Sequence, residues 1–353
     1  MGAHVIELLD DGANKVVVTS RQERESTGHV QYLKGNARDM AFVEKVLEKP
    51  WDVIVDFMSY GTDEFKSRLD ILLGATQQYI FLSSARVYSE SKGEITENTP
   101  RLLDVSDDKE YLKTDEYALA KARQENLLYH SGRQNWTVIR PSITFSESRM
   151  QLGVLEKEAW LYRALNGRSI VFSNDIADKL TTMTYGRDVA KGICSIIGNS
   201  KSFGETFHIT SSEAFAWKDI LEVYLEALER KLGSRPSVVM VEESPNLKFG
   251  KYQVIYSRYF NRKFDNDKIA KFVDVQSFGK PKEDLKRCME VFLETPRFRN
   301  INWKLEAVND RLAKEYTPLK EIPTFKNKTI YTAERFQISF LLDFLRKLHR
   351  RFR

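Results

Sequence analysis

The chain has 353 residues, 42% of them hydrophobic and 30% charged. That balance excludes a disordered, collagenous or coiled-coil chain, and the length suits two domains at about 150 residues each. Lys and Arg number 55 against 50 for Asp and Glu, and this +5 excess is too small over such a length to argue for nucleic acid.

The first 150 residues alternate helix and strand patterns. Residues 2–12 place Val5, Leu8 and Leu9 on one helical stripe and stop at Gly12. Lys15 to Thr19 (KVVVT) is a β-branched run suited to a strand buried on both faces. A polar loop leads to a second strand at Val30 to Leu33, a helix over 41–47 and a buried strand over 51–57. A helix is predicted over 62–74, a strand over 78–83, a long helix over 115–132 and a strand over 136–140. This alternation predicts an α/β fold with a doubly wound parallel sheet. Such sheets bind ligands at the carboxyl ends of their strands, here the loops after Thr19, Phe57, Ser83 and Arg140.

Beyond residue 150 the alternation weakens. Helices are expected over 152–166, 187–198 and 215–232, and short strands over 170–173 and 206–209. Residues 258–330 read as mixed and polar, with no internal repeat or low-complexity linker.

Two cysteines, Cys194 and Cys288, cannot build a disulfide framework and read as reduced thiols of a cytoplasmic protein. The five histidines show no metal-ligand spacing, so no metal site is expected. The N-terminus has no secretory pattern, and no apolar run reaches the roughly 18 residues of a membrane span.

Tyr117 and Lys121 form a YxxxK pair within the predicted helix 115–132. Positions i and i+4 share a helix face, so an ammonium beside the phenol would favour its ionised form and suit it to acid/base work. YxxxK alone also fits a surface helix with a partly buried tyrosine. Two companions strengthen the chemical reading: the strand end FLSSARVY, with Ser83 and Ser84, and the strand end Arg140-Pro141.

In this order the motifs resemble the extended short-chain dehydrogenases/reductases, and more narrowly the NAD(P)-dependent epimerase/dehydratase branch that acts on nucleotide sugars. The matching stretches are GNARD (35–39), DVIVDFMSY (52–60), FLSSARVY (81–88), Tyr117/Lys121, VIRPS (138–142), YGRDVA (185–190) and GETFHIT (204–210). The resemblance implies a Rossmann-like NAD(P)-binding domain over 1–150, to which 185–212 contributes. It implies a smaller substrate-binding α/β lobe over 151–330. Ser84, Tyr117 and Lys121 would take the catalytic triad positions. Gly2, Ser20, Arg21, Asn36, Pro141 and Ser142, with Tyr117 and Lys121, would hold the cofactor. Homodimerisation through helices that include the YxxxK helix is usual in that family. The separation of Ser84 and Tyr117 is longer than usual there, and the excess is the acidic stretch 104–116, expected as a loop over the sugar pocket.

Three departures from the family pattern shape the expectations. The family's first strand and the leading glycines of its GxxGxxG turn do not precede Gly2. Either the start lies downstream of the true one, which we favour, or the product is truncated. Second, Thr19-Ser20-Arg21 stands where NAD-specific members place an acid. A guanidinium suits a 2′-phosphate, so NADP is favoured over NAD. Third, Ala85 and Arg86 replace the Asp-Glu pair of sugar dehydratases, which leaves epimerisation or carbonyl/hydroxyl redox.

Residues 331–353 set six basic residues against Glu334 and Asp343, with Phe336, Phe340, Leu341, Phe344, Leu345 and Leu348 at helical spacing. Such a basic amphipathic helix would lie on an anionic membrane surface or pack on the enzyme or a partner. The leading expectation is a cytoplasmic nucleotide-sugar epimerase or reductase of polysaccharide biosynthesis. The alternative is a non-catalytic binding protein on the same fold, for RNA or for regulation.

Overall fold

The computed structural model describes residues 1–338 and forms two compact units, each assembled from three stretches of chain. The first comprises residues 1–145, 182–214 and 261–281; the second comprises 146–181, 215–260 and the chain from 282.

The first unit is a parallel α/β structure. Its longer strands are β1 (Val16–Ser20), β2 (Val30–Lys34), β3 (Trp51–Asp56), β4 (Thr76–Leu82) and β5 (Trp136–Pro141), followed by a strand at Glu205–Ile209. The last of these pairs with β5, β5 with β4 and β4 with β3, all parallel. Strands β1 and β2 pair only with each other. The sheet is therefore in two pieces, and the valines of β1 are half-buried where the β-branched run predicts burial on both faces.

Alternation along β4 builds the layers on either side. Ile80 and Leu82 enter a cluster with Val5, Ile139, Val189, Ile193 and Phe207, beneath α1 (Gly2–Leu9) and the helix Gly186–Ile196. Tyr79 and Phe81 point the other way, into Phe65, Leu69, Leu72, Leu73, Leu128 and Val138. Each fully buried Ile, Leu or Phe contributes about 1.5–3 kcal/mol, so this one strand anchors both helical layers.

The helix predicted over 62–74 is broken into α2 (Thr62–Lys66) and α3 (Leu69–Gly74). At the break Arg68 is buried and turns its guanidinium back to the carbonyl oxygens of Glu64 (3.0 Å) and Arg38 (2.6 Å), across the face of Tyr60. The acidic stretch 104–116 begins in a single-turn helix, Leu102–Val105, and holds a second, Lys109–Leu112.

In the second unit, strands Ile170–Ser173 and Val238–Val241 pair in parallel, and the helices Lys157–Leu165 and Trp217–Leu232 meet through stacked Trp160 and Tyr224 at 4.5 Å. The polar stretch that gives no clear pattern in sequence contains helices at Pro281–Glu294, Trp303–Ala313 and Phe325–Phe336. Their core-facing side includes charge: Arg163 donates to Glu306 (2.8 Å), Asp310 (2.7 Å) and Glu315 (2.8 Å). Buried acids interrupt the apolar period that reveals helices in sequence. The amphipathic helix expected over 331–353 lies, from residue 339 on, outside the described residues. Among the described residues no helix is long and apolar enough to cross a membrane.

Candidate active site

Strand β4 ends at Leu82 and its chain stays bonded to β5, with the Ser83 amide donating to the Ile139 carbonyl at 2.7 Å. Ser84 then caps a short 3-10 turn, its Oγ accepting from the Arg86 amide at 3.2 Å. Both serines are buried. This places Ser84 at the carboxyl end of a central strand.

Helix α4, here the YxxxK helix Tyr117–Tyr129, starts at the same end. Glu116 is its N-cap, accepting from the Ala118 amide at 2.8 Å. Alanines at 118, 120 and 122 are buried, as is most of the helix's surface. Tyr117 is the exception, 40% exposed at the first turn. The guanidinium of Arg86 stands 5.4 Å from its ring centroid and is ion-paired with Glu116.

Lys121, one turn further, is 2% exposed. Its Nζ donates to the Leu82 carbonyl at 2.7 Å and lies 4.5 Å from the centroid of Phe81. Burial brings its ammonium down to about 8, against the pull of Asp56 and Glu125. Asp56 pairs in register with Phe81 across β3 and β4. It accepts from the Tyr79 hydroxyl (2.7 Å) and the Met58 amide (2.8 Å), and burial pushes its carboxyl above the usual range.

One more turn brings Glu125, fully buried. It accepts from the Ser83 hydroxyl (2.6 Å), from Arg140 through Nε and Nη2 (2.8 Å each) and from Arg101 (3.1 Å). Arg140 in turn lies over the ring of Tyr88, whose hydroxyl is 3.2 Å from His208 Nδ1. Burial lowers the affinity of His208 for a proton.

The structure brings Ser84 and Tyr117 together through Arg86, with Lys121 on the next turn of the helix. Pro141 pairs with Ile209, and the Ser142 hydroxyl donates to the Thr182 carbonyl at 2.9 Å, at the carboxyl end of β5. Ser20, Arg21 and Asn36 sit apart from the triad, where β1 and β2 end. Ser20 Oγ accepts from the Gln22 amide, and Asn36 Oδ1 from the Arg38 amide. Gly2 opens α1, where a Cβ would stand 3.7 Å from the Phe57 ring beyond β3. Among the described residues no cluster of His, Cys, Asp or Glu could hold a metal ion. Sequence reasoning passed over Glu125 and Asp56. The i+4 spacing of Glu125 from Lys121 was the available signal; Asp56 offered only its place at a strand end.

Comparison with known proteins agrees with this fold. The profile of an NAD-binding family described as male sterility protein matches residues 67–171. Two solved structures superpose over most of the chain. The dTDP-glucose 4,6-dehydratase of Streptomyces venezuelae has a TM-score of 0.64 at 16% identity, covering 83% of this chain and 94% of its own. The UDP-glucuronic acid 4-epimerase of Bacillus cereus scores 0.61 at 14% identity, covering 84% and 96%. The chain shares the fold of these dehydratase and epimerase structures. Another similar protein is the chloroplast stem-loop binding protein of 41 kDa b of Arabidopsis thaliana, 28% identical over 225 residues, which are 63% of this chain. The match spans 54% of the length of that relative.

Proposed function

We propose that the protein is an NAD(P)-dependent epimerase or oxidoreductase acting on a nucleotide sugar, with Ser84, Tyr117 and Lys121 as its triad. One observation carries the reading: an exposed phenol opens a helix at the carboxyl end of the sheet, with a buried lysine one turn behind it. Two structural neighbours carry NAD together with a nucleotide or nucleotide sugar: the dehydratase was crystallised with NAD and TYD, the epimerase with UDP-glucuronic acid and NAD.

The residues present fit a dinucleotide. Helix α1 has no acidic residue in its first turn and no side-chain cap, so its amino end suits phosphate. Arg21 and Asn36 are exposed where β1 and β2 end, as donors for the adenosine half, and Arg21 favours NADP. Lys121 and Tyr117, with Pro141 and Ser142, would hold the nicotinamide half. The bound nicotinamide would accept or return the hydride of the sugar carbon.

Tyr117 moves the matching proton at its phenolic oxygen. Lys121, held on the Leu82 carbonyl, keeps a positive charge one turn from that oxygen. Ser84 orients the reacting sugar oxygen. Ala85 and Arg86 offer no acid/base pair for eliminating water, which leaves epimerisation or carbonyl/hydroxyl redox. We place the sugar's remaining contacts in the lobe over 151–330, and we expect a homodimer.

The test is a thermal-shift titration with NADP and NAD, then turnover of a panel of nucleotide sugars by wild type and Tyr117→Phe. Stabilisation by either cofactor, and turnover lost in the variant with cofactor binding kept, is the expected result. Undiminished turnover in Tyr117→Phe removes Tyr117 from the mechanism. A second reading, a non-catalytic RNA-binding protein, draws on the likeness to the stem-loop binding protein. It predicts a salt-dependent gel shift with an RNA stem-loop and no cofactor response.

A further inference from the structure

Large apolar side chains come to the surface in the last helices of the second unit. Leu312, Tyr316, Leu319, Phe325 and Phe336 are all exposed there, Phe325 at 83% and Phe336 at 56%. The helix Phe325–Phe336 carries a phenylalanine at each end. Eleven residues at 3.6 per turn make about three turns, so the two rings share one stripe, about 16 Å apart along the axis. Tyr331 of the same helix turns inward, its hydroxyl donating to Asp310 at 2.6 Å. The loop before the helix is tied beside this stripe: Arg335 donates to the Glu315 carbonyl at 2.9 Å, and the Tyr316 ring lies 6.0 Å from that of Tyr331.

Charge is sorted on the same stretch. Over 311–338 the acids are Glu315, Glu321 and Glu334, and each has a cationic partner. Glu315 accepts from Arg163 at 2.8 Å, Glu321 from Arg168 at 3.0 Å, and Glu334 pairs with Lys304 at 3.2 Å. Lys314, Lys320 and Lys326 are exposed. What this stretch offers outward is therefore apolar and cationic. The sequence after residue 338 has the same sign of charge, with five basic residues against Asp343.

We propose that this face of the second unit lies on a membrane surface containing acidic phospholipid. Phe325 and Phe336 enter the headgroup region along one helix stripe, and the lysines around them meet lipid phosphates. A bilayer interface is apolar just beneath an anionic layer, which is the complement of this face. A second copy docked through the same face would set lysine against lysine. RNA would meet the lysines and could stack on the rings, but it offers nothing to Leu312 and Leu319. The proposal is independent of the substrate and needs no membrane-spanning helix.

The experiment is co-sedimentation of the full chain with vesicles of phosphatidylcholine alone and of phosphatidylcholine with phosphatidylglycerol. It compares wild type, the double variant Phe325→Ser with Phe336→Ser, and the double variant Lys320→Glu with Lys326→Glu. All four substitutions are at exposed positions, and circular dichroism with thermal unfolding verifies that each variant is folded. The expected result is wild-type binding to the acidic vesicles and not to the neutral ones, weakened about tenfold or more in each double variant. Equal binding to both kinds of vesicle, undiminished binding in either double variant, or no binding by wild type overturns the inference. Absence of vesicle binding together with a wild-type dimer that the phenylalanine variant dissociates, read by light scattering, assigns the face to a second copy. Absence of vesicle binding together with a gel shift of an RNA oligonucleotide that either variant abolishes assigns it to RNA.

Discussion

Glu125 accepts the Ser83 hydroxyl at 2.6 Å and so fastens the YxxxK helix to the carboxyl end of β4. The same carboxylate receives two nitrogens of Arg140 from the end of β5. The two elements that carry the candidate triad are thus tied, together with β5, at one buried point. Glu125→Ala leaves buried guanidinium without its partner and should cost about 3–5 kcal/mol in denaturant unfolding. A second change, Arg140→Met, made on that background should cost much less than it does alone, because the pair acts as a unit. Strict additivity would show that the pair is not coupled.

The Lys121 ammonium, down to about 8 from 10.5, gives the pH dependence a definite sign. Between those values the native state binds fewer protons than the unfolded chain. Stability from this group therefore rises with pH across that window, and below it the buried charge is a cost. Lys121→Met should flatten the pH dependence there by up to about 1.4 kcal/mol per pH unit, read from unfolding at pH values inside the window. Turnover that needs the ammonium should fall as pH rises above about 8.

Much of this arrangement is legible in the sequence, and what is hidden has a common cause. Alternation identifies β4 and β5, and the spacing of Tyr117 and Lys121 identifies a shared helix face. The break at Arg68 is hidden because an arginine reads as solvated until its guanidinium is seen on two carbonyls. The Glu125–Arg140 pair is hidden because its partners lie on different elements. The helices over 303–336 are hidden because Glu306 and Asp310 occupy positions where the helical period calls for apolar residues.

In the second unit, burial would raise the Asp310 carboxyl, but the hydroxyls of Tyr331 and Thr317 and the Arg163 guanidinium hold it below its usual range. A depressed carboxyl contributes stability that is present above the ordinary carboxylate range and lost as pH falls through the folded value. Tyr331→Phe removes a 2.6 Å donor to Asp310 and the acceptor of the Thr317 amide. It should cost about 1–3 kcal/mol near neutral pH and move the acid unfolding midpoint upward. An unmoved acid midpoint would show that Tyr331 does not stabilise the charged form.

Gly35 tests the packing after β2. A Cβ there would lie 2.1 Å from the Phe42 ring. Gly35→Ala should lower stability by about 1–3 kcal/mol, and the change should be milder on a Phe42→Ala background, where the ring is gone. Thermal unfolding of the four proteins completes the cycle.

The interrupted course of the chain through its two units has a consequence for synthesis. β5 is complete at residue 141, yet the strand that covers its far edge is residues 205–209, and the last piece of that unit ends at 281. On the ribosome, β5 waits with an open edge while residues 146–181, which belong to the other unit, are made. A premature stop before residue 205 therefore leaves the β5 edge open, and one before residue 281 still lacks part of the first unit, rather than releasing a finished domain.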